Sequence, residues 1–182
     1  HIRRPAHLSR PFDADRFEVC CHRWSALVEE TRGFAVLNDC KYGVNVRDGS
    51  INLTLLRAPM APDPTADRGR QEFTDACFLW NGPFAGSTLI QQGYELNNQP
   101  LILPGSGELT SFLTVDNPGV VIETVKPAED GSGDIIVRLY ESLRTSSRCT
   151  LTINTPAVSA TITDMLEHNP QPVPCINNRI LL

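Results

Sequence analysis

The densest chemistry in the chain lies in one short stretch, Asn38-Asp-Cys-Lys-Tyr-Gly43, which sets an amide, a carboxylate, a thiol, an ammonium and a phenol side by side. It follows Phe34–Leu37, a short apolar run that reads as a buried strand, and a strand ending in a polar turn presents side chains at a rigid rim. The competing reading is an Asn-Asp turn whose side chains satisfy their own backbone. Cys40, between Asp39 and Lys41, has the neighbours of a nucleophile if its pKa is lowered. Asp39 with a second acid, Asp63 or Glu72, would make a glycosidase pair, although a chain with 21 acids offers many such pairs. A second candidate is the proline-rich loop Arg57–Asp67, in which Arg57 and Asp63 bind sugar hydroxyls or pin each other as an ion pair.

Several chemistries find no footing. The four histidines (1, 7, 22 and 168) are scattered, with no His-x-x-x-His and no His-Glu-x-x-His, which argues against a catalytic zinc site within the chain. His22, next to Trp24, reads as a packed strand residue rather than a base. No Gly-x-Ser-x-Gly elbow and no phosphate loop occur. The six cysteines (20, 21, 40, 77, 149 and 175) are irregularly spaced, with no C-x-x-C. They read as reduced thiols in a cytosolic setting, with Cys77 buried on an apolar strand face beside Leu79. Asn52-Leu-Thr54 is a glycosylation sequon within a strand and reads as chance.

The elements that position these groups are strands. Period-two alternation runs through Phe17–His22, Ile51–Leu56, Ile135–Tyr140, Leu151–Ile153 and around Ile162, with a β-branched run at Val120–Val125. Turn chemistry separates them: Asp48-Gly49, Glu129–Gly133 and Asp116–Gly119. Ser87–Asn97 fits a short helix capped by Ser87 or a strand, and residues 98–109 read as a loop. The pattern predicts an all-β fold, an antiparallel β-sandwich with little helix.

The chain has 182 residues, 41% hydrophobic, and a net charge of −5. That charge balance argues against a nucleic-acid partner, and no apolar run approaches the ~18 residues of a membrane span. The start at His1 and the finish inside the apolar run Ile180–Leu182 predict a single domain, residues 1–182, truncated at both ends.

The residues also carry a resemblance. His1–Pro5, Arg16–Cys20, His22–Trp24, Gly33–Gly43, Leu55–Pro59, Pro62-Asp63, Thr65–Asp67, Glu72–Thr74, Leu96-Asn97 and Val137–Glu141 recur in order in the C-terminal region of glycoside hydrolase family 38 α-mannosidases. The chain resembles the cytosolic and vacuolar branch over nearly its whole length. Residues 8–15, and Trp80-Asn-Gly82, depart from the family's usual pattern. The resemblance implies a sandwich of the galactose-mutarotase-like supersandwich type. It also implies a retaining parent enzyme that removes terminal α-D-mannose from oligosaccharides. Its zinc, or another divalent metal, and its nucleophile belong to an N-terminal catalytic domain followed by a helical domain. No catalytic or metal-ligating residue carries over to this chain. Asn38, Asp39, Lys41, Tyr42, Arg57 and Asp63 then become candidates for an interdomain contact or the rim of the sugar site. The implied location is cytoplasmic, with a vacuolar or lysosome-like compartment as the alternative. A free-standing carbohydrate-binding module, displaying Trp24, Trp80 or Tyr94, and a homo-oligomer-forming sandwich are the rival readings.

Overall fold

A computed structural model describes residues 1–5, 11, 18–107 and 110–182. His7, Arg16, Phe17 and the 8–15 segment apart from residue 11 lie outside the described residues. The backbone gathers into two compact units, residues 2–102 and residues 103–182 with His1. Among the described residues every strand pairing is antiparallel.

In the first unit, β1 (Val19–Cys20), β4 (Gly43–Arg47) and β5 (Ser50–Thr54) form one sheet in the order β1-β4-β5. A second sheet has the order β2-β3-β6, from β2 (Trp24–Val28), β3 (Arg32–Asn38) and β6 (Asp75–Asn81). The β4–β5 hairpin follows from its turn residues. Arg47 pairs with Ser50, leaving Asp48 and Gly49 at φ 52° and 75°, the positive values a two-residue type I′ turn demands.

The core of this unit lies on one face of β3. Ala35 and Leu37 alternate onto that face and are buried, as is Trp80, which pairs across from Gly33. The helix α1 (Leu89–Asn97) packs on β3 and brings in the fully buried Leu89. A buried leucine contributes roughly 1.5–3 kcal/mol. Phe84 completes the cluster, 5.8 Å from Trp24 and 6.3 Å from Trp80 between ring centroids. Ser87–Asn97 thus resolves as helix, but Ser87 closes the preceding turn by donating to the Phe84 carbonyl, and Thr88 takes the N-cap position. Asn97 ends the helix by donating to the carbonyls of Gly93 and Asn38, tying α1 to the end of β3.

Three expectations are corrected here. His22 is not on a strand: β1 stops at Cys20, and the chain bends through His22 and Arg23, the latter at φ 69°. Leu55 and Leu56 do not extend β5, which ends at Thr54. Cys77 is exposed and Leu79 is 72% exposed, because the register that turns Trp80 inward turns both of them outward.

In the second unit, β7 (Leu113–Val115), β10 (Thr150–Ile153), β13 (Cys175–Ile176) and β14 (Arg179–Leu181) form a sheet in the order β13-β14-β10-β7. Two ribbons accompany it: β8 (Val120–Pro127) with β9 (Ile135–Glu141), and β11 (Ala160–Ile162) with β12 (Gln171–Val173). The apolar run Ile180–Leu182 is held from both sides: β14 pairs with β10 and β13, and Leu182 exchanges backbone hydrogen bonds with Cys149. The Asp116–Gly119 turn closes as expected. Asn117 Oδ1 accepts from the Gly119 amide at 2.8 Å, and its Nδ2 donates to the Arg148 carbonyl at 3.0 Å.

Candidate functional site

The polar turn leaves β3 at Asn38 and re-enters the neighbouring sheet at Gly43. Asn38 is 1% exposed. Its amide nitrogen donates to Cys21 Sγ at 3.7 Å, and its backbone N–H to the Arg23 carbonyl at 2.9 Å. Its side-chain oxygen is buried without a partner, and so is one carboxylate oxygen of Asp39. An unsatisfied buried acceptor costs about 1–3 kcal/mol. Hydrogen bonds from the Cys40 thiol and then from the Thr74 backbone hold the Asp39 carboxyl below the usual carboxylate range. The same Asp39 contact pushes the Cys40 thiol up. A thiol held protonated by a carboxylate is the opposite of an activated nucleophile, so the nucleophilic reading of Cys40 fails on electrostatics.

Lys41 and Tyr42 diverge. The Lys41 ammonium sits 5.4 Å from the Phe73 ring centroid, a cation–π distance. Tyr42 is 46% exposed and tilts against the His22 ring, centroids 4.5 Å apart. His22 is therefore a stacking partner of Tyr42, set by the bend after β1.

Tyr42 also lines an open groove of about 470 Å³ with Glu18, Thr54, Leu56, Arg57 and Asp67. Arg57 is the charged centre of this groove, but its ion pair is with Glu18, at 2.6 Å. The other Glu18 oxygen accepts from Thr54 at 2.7 Å. Asp67 accepts the backbone N–H groups of Ala58 and Arg57 at 2.9 and 3.0 Å, which lowers its pKa. Asp63 instead turns back on Thr65, accepting its hydroxyl at 2.7 Å and its amide at 2.8 Å, and is lowered by both. The Arg57–Asp63 pairing is therefore replaced by Arg57–Glu18, and the Arg57–Asp67 loop is held by its own aspartates.

Asp39 and Asp63 are both held ionised, so neither is the raised acid a glycosidase pair requires. Asp75, opposite Asn38 in the β3–β6 register, is raised by burial first and by the Asp39 charge second. Sequence reasoning missed Asp75, Glu18 and Asp67. Asp75 becomes visible only once β6 is paired with β3, and Glu18 only once β1 is placed beside β4 and β5. Among the described residues no group of three or more His, Cys, Asp or Glu side chains could hold a metal ion. Among the described residues no helix is long and apolar enough to cross a membrane.

Two family models match the chain. Residues 1–65 match the glycosyl hydrolases family 38 C-terminal domain, and residues 119–181 match that family's C-terminal β-sandwich domain. The chain belongs to the C-terminal region of glycosyl hydrolases family 38. Its polar turn and groove strands fall within the first match. Human alpha-mannosidase 2C1 is 43% identical over 92% of this chain, which covers 17% of that protein. Alpha-mannosidase G of Dictyostelium discoideum is 40% identical over 78% of the chain and 14% of its own length. The alpha-mannosidase of Saccharomyces cerevisiae is 30% identical over a similar share. The family 38 region thus spans about a sixth of the length of these curated relatives.

Proposed function

We propose that this region is the non-catalytic C-terminal support of an α-mannosidase that releases terminal α-D-mannose from oligosaccharides. The polar turn and groove (Asn38, Asp39, Lys41, Tyr42, Arg57, Asp63) position the catalytic and helical domains or form the outer rim of the sugar site. The observation that carries this reading is the state of the ionisable groups. The carboxylates of the turn and loop are lowered, the Cys40 thiol is raised, and Arg57 is neutralised by Glu18. Such groups bind and orient; none is tuned to transfer a proton near neutral pH. The divalent metal and the nucleophile are then supplied by other domains of the parent, in a cytoplasmic enzyme whose thiols stay reduced.

A free-standing sugar-binding module would need an exposed aromatic platform. Of its three candidates Trp80 is buried, Trp24 packs against Phe84 and α1, and Tyr94 lies 3.9 Å beneath the Arg23 guanidinium. The test is steady-state kinetics and thermal unfolding of the full-length enzyme carrying Lys41→Ala and Tyr42→Phe. A fall in turnover or melting temperature in either is expected. Wild-type values for both properties in both variants would overturn the reading.

A further inference from the structure

The β2-β3-β6 sheet stops at β6. Among the described residues β6 pairs only with β3, through seven consecutive residues with no shift of register. Between Asp75 and Asn81 it carries no charged residue and no proline. Several other outer strands are blunted in ways that discourage pairing. β1, β7, β11 and β13 have two or three residues, β12 holds Pro172, and the β8–β9 ribbon breaks register between Ile122 and Thr124. A long, regular, apolar edge is a template for another strand unless something covers it.

The side chains on the outer face of this sheet show the same gap. Leu27 pairs with Phe34 and Phe34 with Leu79, so three apolar residues form a row across the strands. Leu27 and Phe34 are half-buried, whereas Leu79, the last of the row, is 72% exposed. The neighbouring row repeats the pattern: Val36 is half-buried, and Cys77, its partner on β6, is exposed. The first row lines an open groove of about 500 Å³ together with Gly49 of the β4–β5 turn. Glu29 and Arg32, the charged residues of that lining, pair with each other at 2.6 Å. The groove therefore offers apolar surface with no unpaired charge.

Resting on the support role given above, we infer that β6 is completed in the parent enzyme by a strand from the part of the same polypeptide outside residues 1–182. The backbone of that strand pairs with the free edge of β6, and one of its apolar side chains extends the Leu27–Phe34–Leu79 row over the groove. Main-chain hydrogen bonds hold an added strand, and pockets under alternate side chains select it. This region is about a sixth of the length of its curated relatives, so most of the parent chain is available to supply the strand. A strand tethered in the same polypeptide meets the edge at an effective concentration on the order of millimolar, which favours it over a second copy of the protein.

The experiment follows hydrogen exchange residue by residue across β6 in the native full-length enzyme. In an antiparallel ladder every second amide of β6 points away from β3. These outward amides are expected to exchange at least about a hundredfold more slowly than in the unfolded chain, together with the inward set, at every enzyme concentration. Leu79→Lys sets a charge where the incoming side chain packs. It should speed the outward amides about tenfold or more while the inward set stays protected. Cross-links from the Cys77 thiol, mapped by mass spectrometry, should join β6 to a peptide outside residues 1–182. Wild-type outward amides that exchange at the unfolded rate would overturn the inference and leave β6 open to water. Outward protection that fades on dilution, as the enzyme dissociates, would overturn it by assigning the edge to a second copy. Unchanged outward protection in Leu79→Lys, or cross-links confined to residues 1–182, would overturn it as well. If Lys41→Ala or Tyr42→Phe lowers turnover or melting temperature while the outward amides exchange freely, the support role stands and this inference alone falls. Slow outward amides with both of those variants at wild-type values would instead remove the polar turn from the contact and keep β6 in it.

Discussion

Asp67 carries a consequence that one titration can read. Its carboxylate holds the backbone amides of Ala58 and Arg57 across nine and ten residues of loop, and those bonds lower its pKa below the ordinary 3.8. A carboxyl depressed in the folded state contributes its stability above the unfolded pKa and loses it as pH falls through the folded value. Protection of the Arg57 and Ala58 amides should therefore be constant above about pH 4 and collapse in more acidic solution. Asp67→Ala should show the collapsed exchange already at neutral pH. Unchanged protection in that variant would mean that the loop is held by something other than this carboxylate. Because Asp67 is exposed, salt and solvent screen its charge, and the effect should stay local to the loop.

At the scale of elements, what could be read from the sequence was what local spacing determines. Period-two alternation and the Asp48-Gly49 and Asp116–Gly119 turns placed the strands and hairpins, because those signals act between near neighbours. The misplaced faces came from pairing. Cys77 and Leu79 look like core positions until β6 is set against β3, where the register turns Trp80 inward and leaves Leu79 72% exposed. The candidate site was half legible for the same reason. The turn itself was visible, whereas Glu18, Asp67 and Asp75 join it only through strand order and loop closure. Gly33 shows how tightly that order is set. A Cβ added there would meet the Trp80 indole at 1.9 Å, under any van der Waals distance, with the indole lying across the strand. Gly33→Ala should therefore destabilise the protein by about 1–3 kcal/mol through forced repacking, measured by chemical denaturation. A neutral result would show that the indole does not rest on Gly33.

At the scale of the whole molecule, the chain is the C-terminal portion of a family whose members are several times longer. It offers its neighbours an open groove, a polar turn with unmet acceptors and a half-exposed tyrosine. The central claim is that this turn is a contact surface within the parent enzyme rather than a free rim or a reactive centre. Nitration of Tyr42 in the intact, native full-length enzyme tests it most directly. Tyr42 is 46% exposed in this region by itself. The account predicts that the intact enzyme shields it, so that Tyr42 nitrates at least about tenfold more slowly than in the denatured chain, as expected for a phenol enclosed at a packed interface. Nitration of Tyr42 in the native enzyme at the rate of a freely exposed tyrosine would contradict the account.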